Sequence, residues 1–152
     1  MEKTEDDVRS VRRELSRLDP WSFWVVPADT QGMEFSVVGT TGAFAVATCS
    51  LEGYVKPRTA RLVVGDSTAS GLWRLRRGAR KMRDRLLSSG LDVRVETIVC
   101  LTRAFPAPAT SVRGVRAVHV ERLVEDIAER PRVFDAKRAE RMARKLRSAG
   151  HR

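Results

Sequence analysis

Between Phe35 and Val46 the chain reads F-S-V-V-G-T-T-G-A-F-A-V, two apolar runs joined by four turn residues. Phe35–Val38 and Ala43–Val46 flank Gly39-Thr40-Thr41-Gly42, where glycine supplies backbone angles that other residues avoid. The segment is therefore predicted to be a β-hairpin. Further on, Val93–Thr102 is predicted to be a strand whose centre, Ile98-Val99-Cys100-Leu101, is apolar on both faces. Such a strand must be covered on both sides, so helices are expected above and below a sheet.

The helices announce themselves by period. Thr4-Glu5-Asp6-Asp7 has the form of an N-terminal capping box, followed by the stripe Val8, Val11, Leu15 and Leu18 and a stop at Asp19-Pro20. A helix over 70–88 is predicted from Leu72, Leu75, Ala79, Met82 and Leu86, closed by Ser88-Ser89-Gly90. A short helix is expected over 120–130, with Leu123, Val124 and Ile127 inward and Pro131 ending it. Asp135 is placed to cap a last helix with Ala139, Met142, Ala143 and Leu146 inward. Short strands are expected at Ser22–Val26, closed by Pro27; at Arg61–Val64; and at Val112–Val118, with Gly114 as a bulge. Leu51–Pro57 reads as a connection and Phe105-Pro106-Ala107-Pro108 as a rigid loop. The order implies an α/β sandwich with a mixed sheet, its last core strand reached through a helical crossover and so paired in parallel.

At 152 residues the chain is expected to form one domain, residues 1–152, with 1–4 and 148–152 as flexible ends. No stretch approaches the ~18 apolar residues of a membrane span, and the acidic start lacks a secretory apolar core, so a cytoplasmic protein with no membrane partner is expected. The two cysteines, Cys49 and Cys100, are expected as buried thiols, and Trp21, Trp24 and Trp73 as rings in or beside the core. No His/Cys spacing matches a zinc site, and no P-loop or nucleophile elbow is present. The net charge is +10, from 24 Arg and five Lys against 19 acids. A balance of that sign points to polyanions. GC-rich coding also favours Arg codons, so composition alone does not fix the partner.

One set of residues carries a family resemblance: Glu34 through Gly39 with Gly42-Ala43-Phe44-Ala45-Val46 and Thr48; Gly53; the basic run Leu72-Trp73-Arg74-Leu75-Arg76-Arg77; and Val112-Arg113-Gly114-Val115 before the closing helices. Together with the element order, from roughly Val8 to Leu146, they resemble the NERD (nuclease-related) domain of the PD-(D/E)XK, restriction-endonuclease-like superfamily. The resemblance implies an αβββαβ core plus C-terminal helices. It also implies a site made of an acid on the second strand and an acid-x-Lys triplet ending the third. The first of these places is Glu34; the triplet is Ala47-Thr48-Cys49, so Ala47 and Cys49 stand where the second acid and the lysine belong. Asp7 or Glu14 could supply the acid that the first helix often contributes.

That chemistry needs carboxylates to hold Mg²⁺ or Mn²⁺ through oxygen, and a lysine beside the attacking water. Alanine cannot ligate a metal, and cysteine is a poor ligand for a hard cation. The chain is accordingly expected to be a catalytically inactive nuclease-fold protein that needs no cofactor, with Glu34 the one remnant that could touch a metal. Two alternatives stay open. A displaced site using Glu34, Glu52 and Lys56 would make it an active Mg- or Mn-dependent nuclease; Glu52 and Lys56 equally suit a solvated loop, and Glu34 a guarded strand edge. The fold could instead be a pseudoenzyme that binds another protein.

For the binding reading, the candidate contacts are Arg74, Arg76, Arg77, Arg80, Lys81 and Arg83 on the helix before the central strand. Lys137, Arg141, Arg144 and Lys145 on the last helix join them. Neither helix interleaves aromatics, so the expected partner is a duplex backbone, DNA rather than RNA, more than stacked bases.

Overall fold

In the computed structural model, residues 3–30, 32–58, 61–64, 67–68, 71–105 and 111–149 are described. The predicted hairpin is its centre. Strand β2 (Met33–Gly39) pairs antiparallel with β3 (Gly42–Cys49), from Phe35 opposite Val46 to Gly39 opposite Gly42. Every residue of β3 is buried, which fits a run with no polar face. The turn itself is buried too. Thr41 Oγ1 donates to the Ile127 carbonyl at 2.6 Å, and the Thr40 carbonyl accepts from the N–H groups of Val133 and Phe134 at 2.7 and 3.0 Å. Gly39 is obligatory here, because a Cβ would stand 2.1 Å from the Phe23 ring.

A six-stranded mixed sheet is built outward from this pair in the order β1-β2-β3-β7-β10-β9. Strand β1 (Phe23–Thr30) is antiparallel to β2; β7 (Val95–Leu101) is parallel to β3, and β10 (Val115–His119) parallel to β7. The predicted parallel crossover is present, made through helix α2 (Leu72–Leu87). Two strands continue past the main sheet into a smaller one of order β6-β5-β4-β8. Its members are β4 (Gly53–Arg58), β5 (Arg61–Val64), β6 (Ser67–Thr68) and β8 (Ala104–Phe105).

Four helices cover the main sheet in two layers. On one face, α1 (Glu5–Leu15) and α3 (Leu123–Ala128) bury Val11, Leu15, Leu123 and Ile127 against Phe35, Phe44, Val46 and Ile98. On the other, α2 and α4 (Ala136–Ala149) bury Leu75, Met82, Leu86, Met142 and Leu146 against Val38, Ala45, Val99 and Leu101. Successive strand residues alternate between these cores, so Phe44 and Ala45 are both fully buried on opposite sides. Both expected caps are made: the Thr4 hydroxyl accepts from Asp7 N–H at 3.1 Å, and the Asp135 carboxylate from Arg138 N–H at 2.7 Å.

Five expectations need correction. β1 does not close at Pro27 but runs through it, because β1 is the sheet edge and no outer neighbour needs that missing N–H. Leu51–Pro57 is not a plain connection: β4 occupies 53–58, paired with β8 at Gly53 and Tyr54 and with β5 from Val55 to Arg58. Val112–Val118 is two strands. Arg113 and Gly114, at φ of 51° and 79°, make the tight turn between β9 (Ser111–Val112) and β10, so Gly114 is a turn residue and not a bulge. Phe105 belongs to β8, while Pro106–Pro108 lie outside the described residues. Trp21 and Trp73 are exposed, at 83% and 58%; only Trp24 packs beside the core. Trp21 sits in the turn after α1, and Trp73 on the outer side of α2 with the Arg74 guanidinium 5.2 Å from its ring centre.

Candidate nucleic-acid interface

The fold brings the two most basic helices together. α2 and α4 pack against each other on one face of the sheet. α2 carries seven Arg or Lys residues against Asp84, and α4 six against Glu140, a combined formal charge of +11. Arg76, Arg77, Arg80, Lys81 and Arg83 on α2 are exposed, as are Lys137, Arg141 and Arg144 on α4; Arg74 and Lys145 are half-buried. Among the described residues, the ion pairs on this face are Arg83 with Asp92 at 3.9 Å and Arg144 with Glu140 at 3.1 Å. Arg138 instead lies over the Phe134 ring, its guanidinium 5.3 Å from the ring centre.

The opposite face has the other sign. α1, α3 and the 3-10 turn Val120–Arg122 between β10 and α3 carry seven acids against four bases. Among these bases Arg9 pairs with Glu5 and Asp6, and three arginines just outside the elements reach their acids: Arg17 meets Glu14, and Arg116 and Arg130 meet Asp126.

A second group of polar side chains gathers where β3, β7 and β10 end, the carboxyl edge at which open α/β sheets bind ligands. Glu34, at the start of β2, is mostly buried. Its Oε1 accepts from the Thr48 N–H at 2.7 Å, and its Oε2 meets Lys3 Nζ at 3.1 Å. Asp7 reaches the same edge from α1 and accepts from Arg103 Nε at 2.9 Å. The other arm of that guanidinium lies 3.6 Å from the exposed carboxylate of Glu52. Burial pushes the Asp7 carboxyl up. Hydrogen bonds from Ser50, Thr102 and Thr4 and the charge of Arg103 outweigh it, leaving Asp7 below its ordinary value.

Ala47 and Cys49 are 1% and 0% exposed and form part of the apolar core under α2 and α4, with Val99 and Leu101. Lys56 falls in β4, and nothing is described of its side chain. Glu34 and Glu52 thus stand at one edge with cations of this chain, while residues 47 and 49 face inward. Cys49 and Cys100 are both buried and lie in different cores, so no disulfide joins them. Burial, with the charges of Glu14, Cys49 and Glu34 adding to it, pushes the Cys100 thiol far up, which keeps it protonated.

Sequence reasoning missed Lys3, Ser50, Thr102 and Arg103, which arrive from distant parts of the chain and form no local motif. It also missed the exposed Tyr54 and Phe105, with the half-buried His119 stacked on Phe105, beside this edge. Among the described residues, no group of three or more His, Cys, Asp or Glu side chains is placed to hold a metal ion. No protein-family model, curated protein or solved structure matches the chain.

Proposed function

We propose that this protein binds nucleic acid, gripping the phosphate backbone of duplex DNA with the α2–α4 face of a restriction-endonuclease-like fold that has lost its metal chemistry. The observation that carries the reading is the segregation of charge. A genome-wide excess of Arg codons would scatter arginine over both faces. Here the two helices of one face carry a formal charge of +11, while the helical elements of the other carry seven acids against four bases. The 16 residues of α2 span about 24 Å, the rise of about seven base pairs, so a row of guanidinium groups can follow a phosphate backbone.

The carboxyl edge supports the loss of catalysis. A carboxylate and a lysine at 47 and 49 would face hydrocarbon, and Glu34, Asp7 and Glu52 already have Lys3 and Arg103 as counter-charges. The positive charge that a divalent cation would bring is supplied from within the chain.

The test is duplex affinity as a function of salt. Wild type is expected to show a steep log–log slope, and Arg76→Gln/Arg80→Gln/Arg83→Gln to lower that slope by about 3. Arg9→Gln/Arg13→Gln on α1 should leave it unchanged. Absence of duplex affinity at about 50 mM salt overturns the reading. Plasmid DNA incubated with the protein and Mn²⁺ is expected to stay intact; cleavage abolished by Glu34→Ala would restore a catalytic role.

A further inference from the structure

Three aromatic residues from distant parts of the chain are placed at one corner of the carboxyl edge. Tyr54 and Phe105 are register partners in the parallel pair β4–β8, so their side chains leave the same side of the small sheet. Alternation turns Val55 and Ala104 toward the core and sends Tyr54 and Phe105 outward, where they are 74% and 59% exposed. His119, ending β10, lies against Phe105 with ring centres 5.0 Å apart and planes inclined by 9°. The imidazole is held in place, because its Nδ1 accepts the Glu121 N–H at 3.2 Å and so caps the following 3-10 turn.

The cluster is an economical choice for neither folding nor solubility. The chain has nine aromatic residues, and Phe23, Phe35 and Phe44 are buried in the core below. Its only tyrosine and another phenylalanine are placed together in water, over a histidine whose tilt matches the phenylalanine. The strand that carries Tyr54, β4, and its antiparallel partner β5 contain Lys56, Arg58 and Arg61 and no acid. Flat π faces next to a basic strand pair suit a ligand that is both planar and anionic.

We propose that Tyr54, Phe105 and His119 form a stacking site for unpaired nucleobases, so that single-stranded nucleic acid is held at this corner. The choice of a base as the planar ligand rests on the nucleic-acid reading above; the surface is a different one from the α2–α4 face. Stacking on a ring face uses no donor or acceptor of the base, so the site is indifferent to sequence. Loss of one stacked base is worth roughly tenfold to a hundredfold in affinity.

The experiment compares short oligo(dT), an abasic strand of equal length and a hairpin duplex, each titrated by fluorescence anisotropy into the full chain. Tyr54→Ala/Phe105→Ala is expected to weaken oligo(dT) at least tenfold, with the salt slope unmoved and duplex affinity retained. Tyr54→Phe, which keeps the ring, should bind as wild type does, and His119→Asn, which keeps the cap, should weaken oligo(dT). The abasic strand should bind wild type no better than oligo(dT) binds the double variant. Equal oligo(dT) affinity in wild type and double variant, with duplex binding intact in both, overturns the stacking site and leaves the α2–α4 reading standing. Failure of wild type to bind either ligand overturns both.

Discussion

Leu15, which ends α1, and Leu75, in the first turn of α2, are each fully buried against opposite faces of one sheet. The residues around them are not equivalent. In the same last turn as Leu15 stand Glu14, Arg13 and Arg12, in a helix whose first turn is acidic. Around Leu75 stand Arg74, Arg76 and Arg77, in a helix whose first turn holds no acid at all. The two faces obtain their cohesion in the same way, from apolar side chains on a shared sheet. They differ in what they offer to solvent. Surface charge on this molecule therefore differs between two faces whose packing beneath is alike.

That comparison can be attacked in order of effect. Leu15→Ala and Leu75→Ala should each cost about 2–5 kcal/mol in urea unfolding, since both leave a cavity in a closed core. A loss confined to one face would show that the two layers do not share a cooperative core.

Acid should act on the α1 side. The Asp7 carboxyl titrates below the ordinary aspartate value, so its contribution to stability is complete above that value and is lost as pH falls through the lower folded-state one. Asp7→Asn should lower stability at neutral pH and flatten the decline below about pH 4. An unchanged acid limb would remove Asp7 from the set of stabilising carboxylates.

The smallest effects should differ in sign. Arg80 has Arg76 one turn before it and Arg83 one turn after, and like charges at that spacing cost about 0.2–0.5 kcal/mol. Arg80→Gln is expected to raise thermal stability at low salt. Arg9→Gln on α1, which removes pairs with Glu5 and Asp6 at 3.8 and 3.6 Å, should lower it by a similar amount. Equal signs would dissolve the contrast between the faces.

How much of this was legible follows from which signals are local. The stripes of α2 and α4, their inward residues, the Thr4 and Asp135 caps, the central hairpin and the parallel strand after α2 all rest on spacing within a few turns, and all are present. β4 was hidden because Gly53 and Pro57 punctuate it; its pairing with β8 is a partnership across 51 residues that no local pattern signals. The exposure of Trp21 and Trp73 was hidden because ring size argues for burial and only the finished surface can refuse it. The basic residues of the candidate interface were each visible, but their joining into one face depends on α2 and α4 packing side by side. The counter-cations were not visible: Lys3 meets Glu34 across 31 residues, and Arg103 meets Asp7 across 96.

The clasp at the hairpin turn bears on the order in which this surface comes into being. Thr40 and Thr41 hold the end of α3 and the segment after it, from which the chain passes to α4 on the other layer. During synthesis, α2 emerges with half of the positive charge while α4 is still unmade. Until that final helix arrives, the sides of β1 and β2 that it covers stay bare. The cationic surface is thus divided between an earlier and a later helix, and is joined only when α4 packs beside α2.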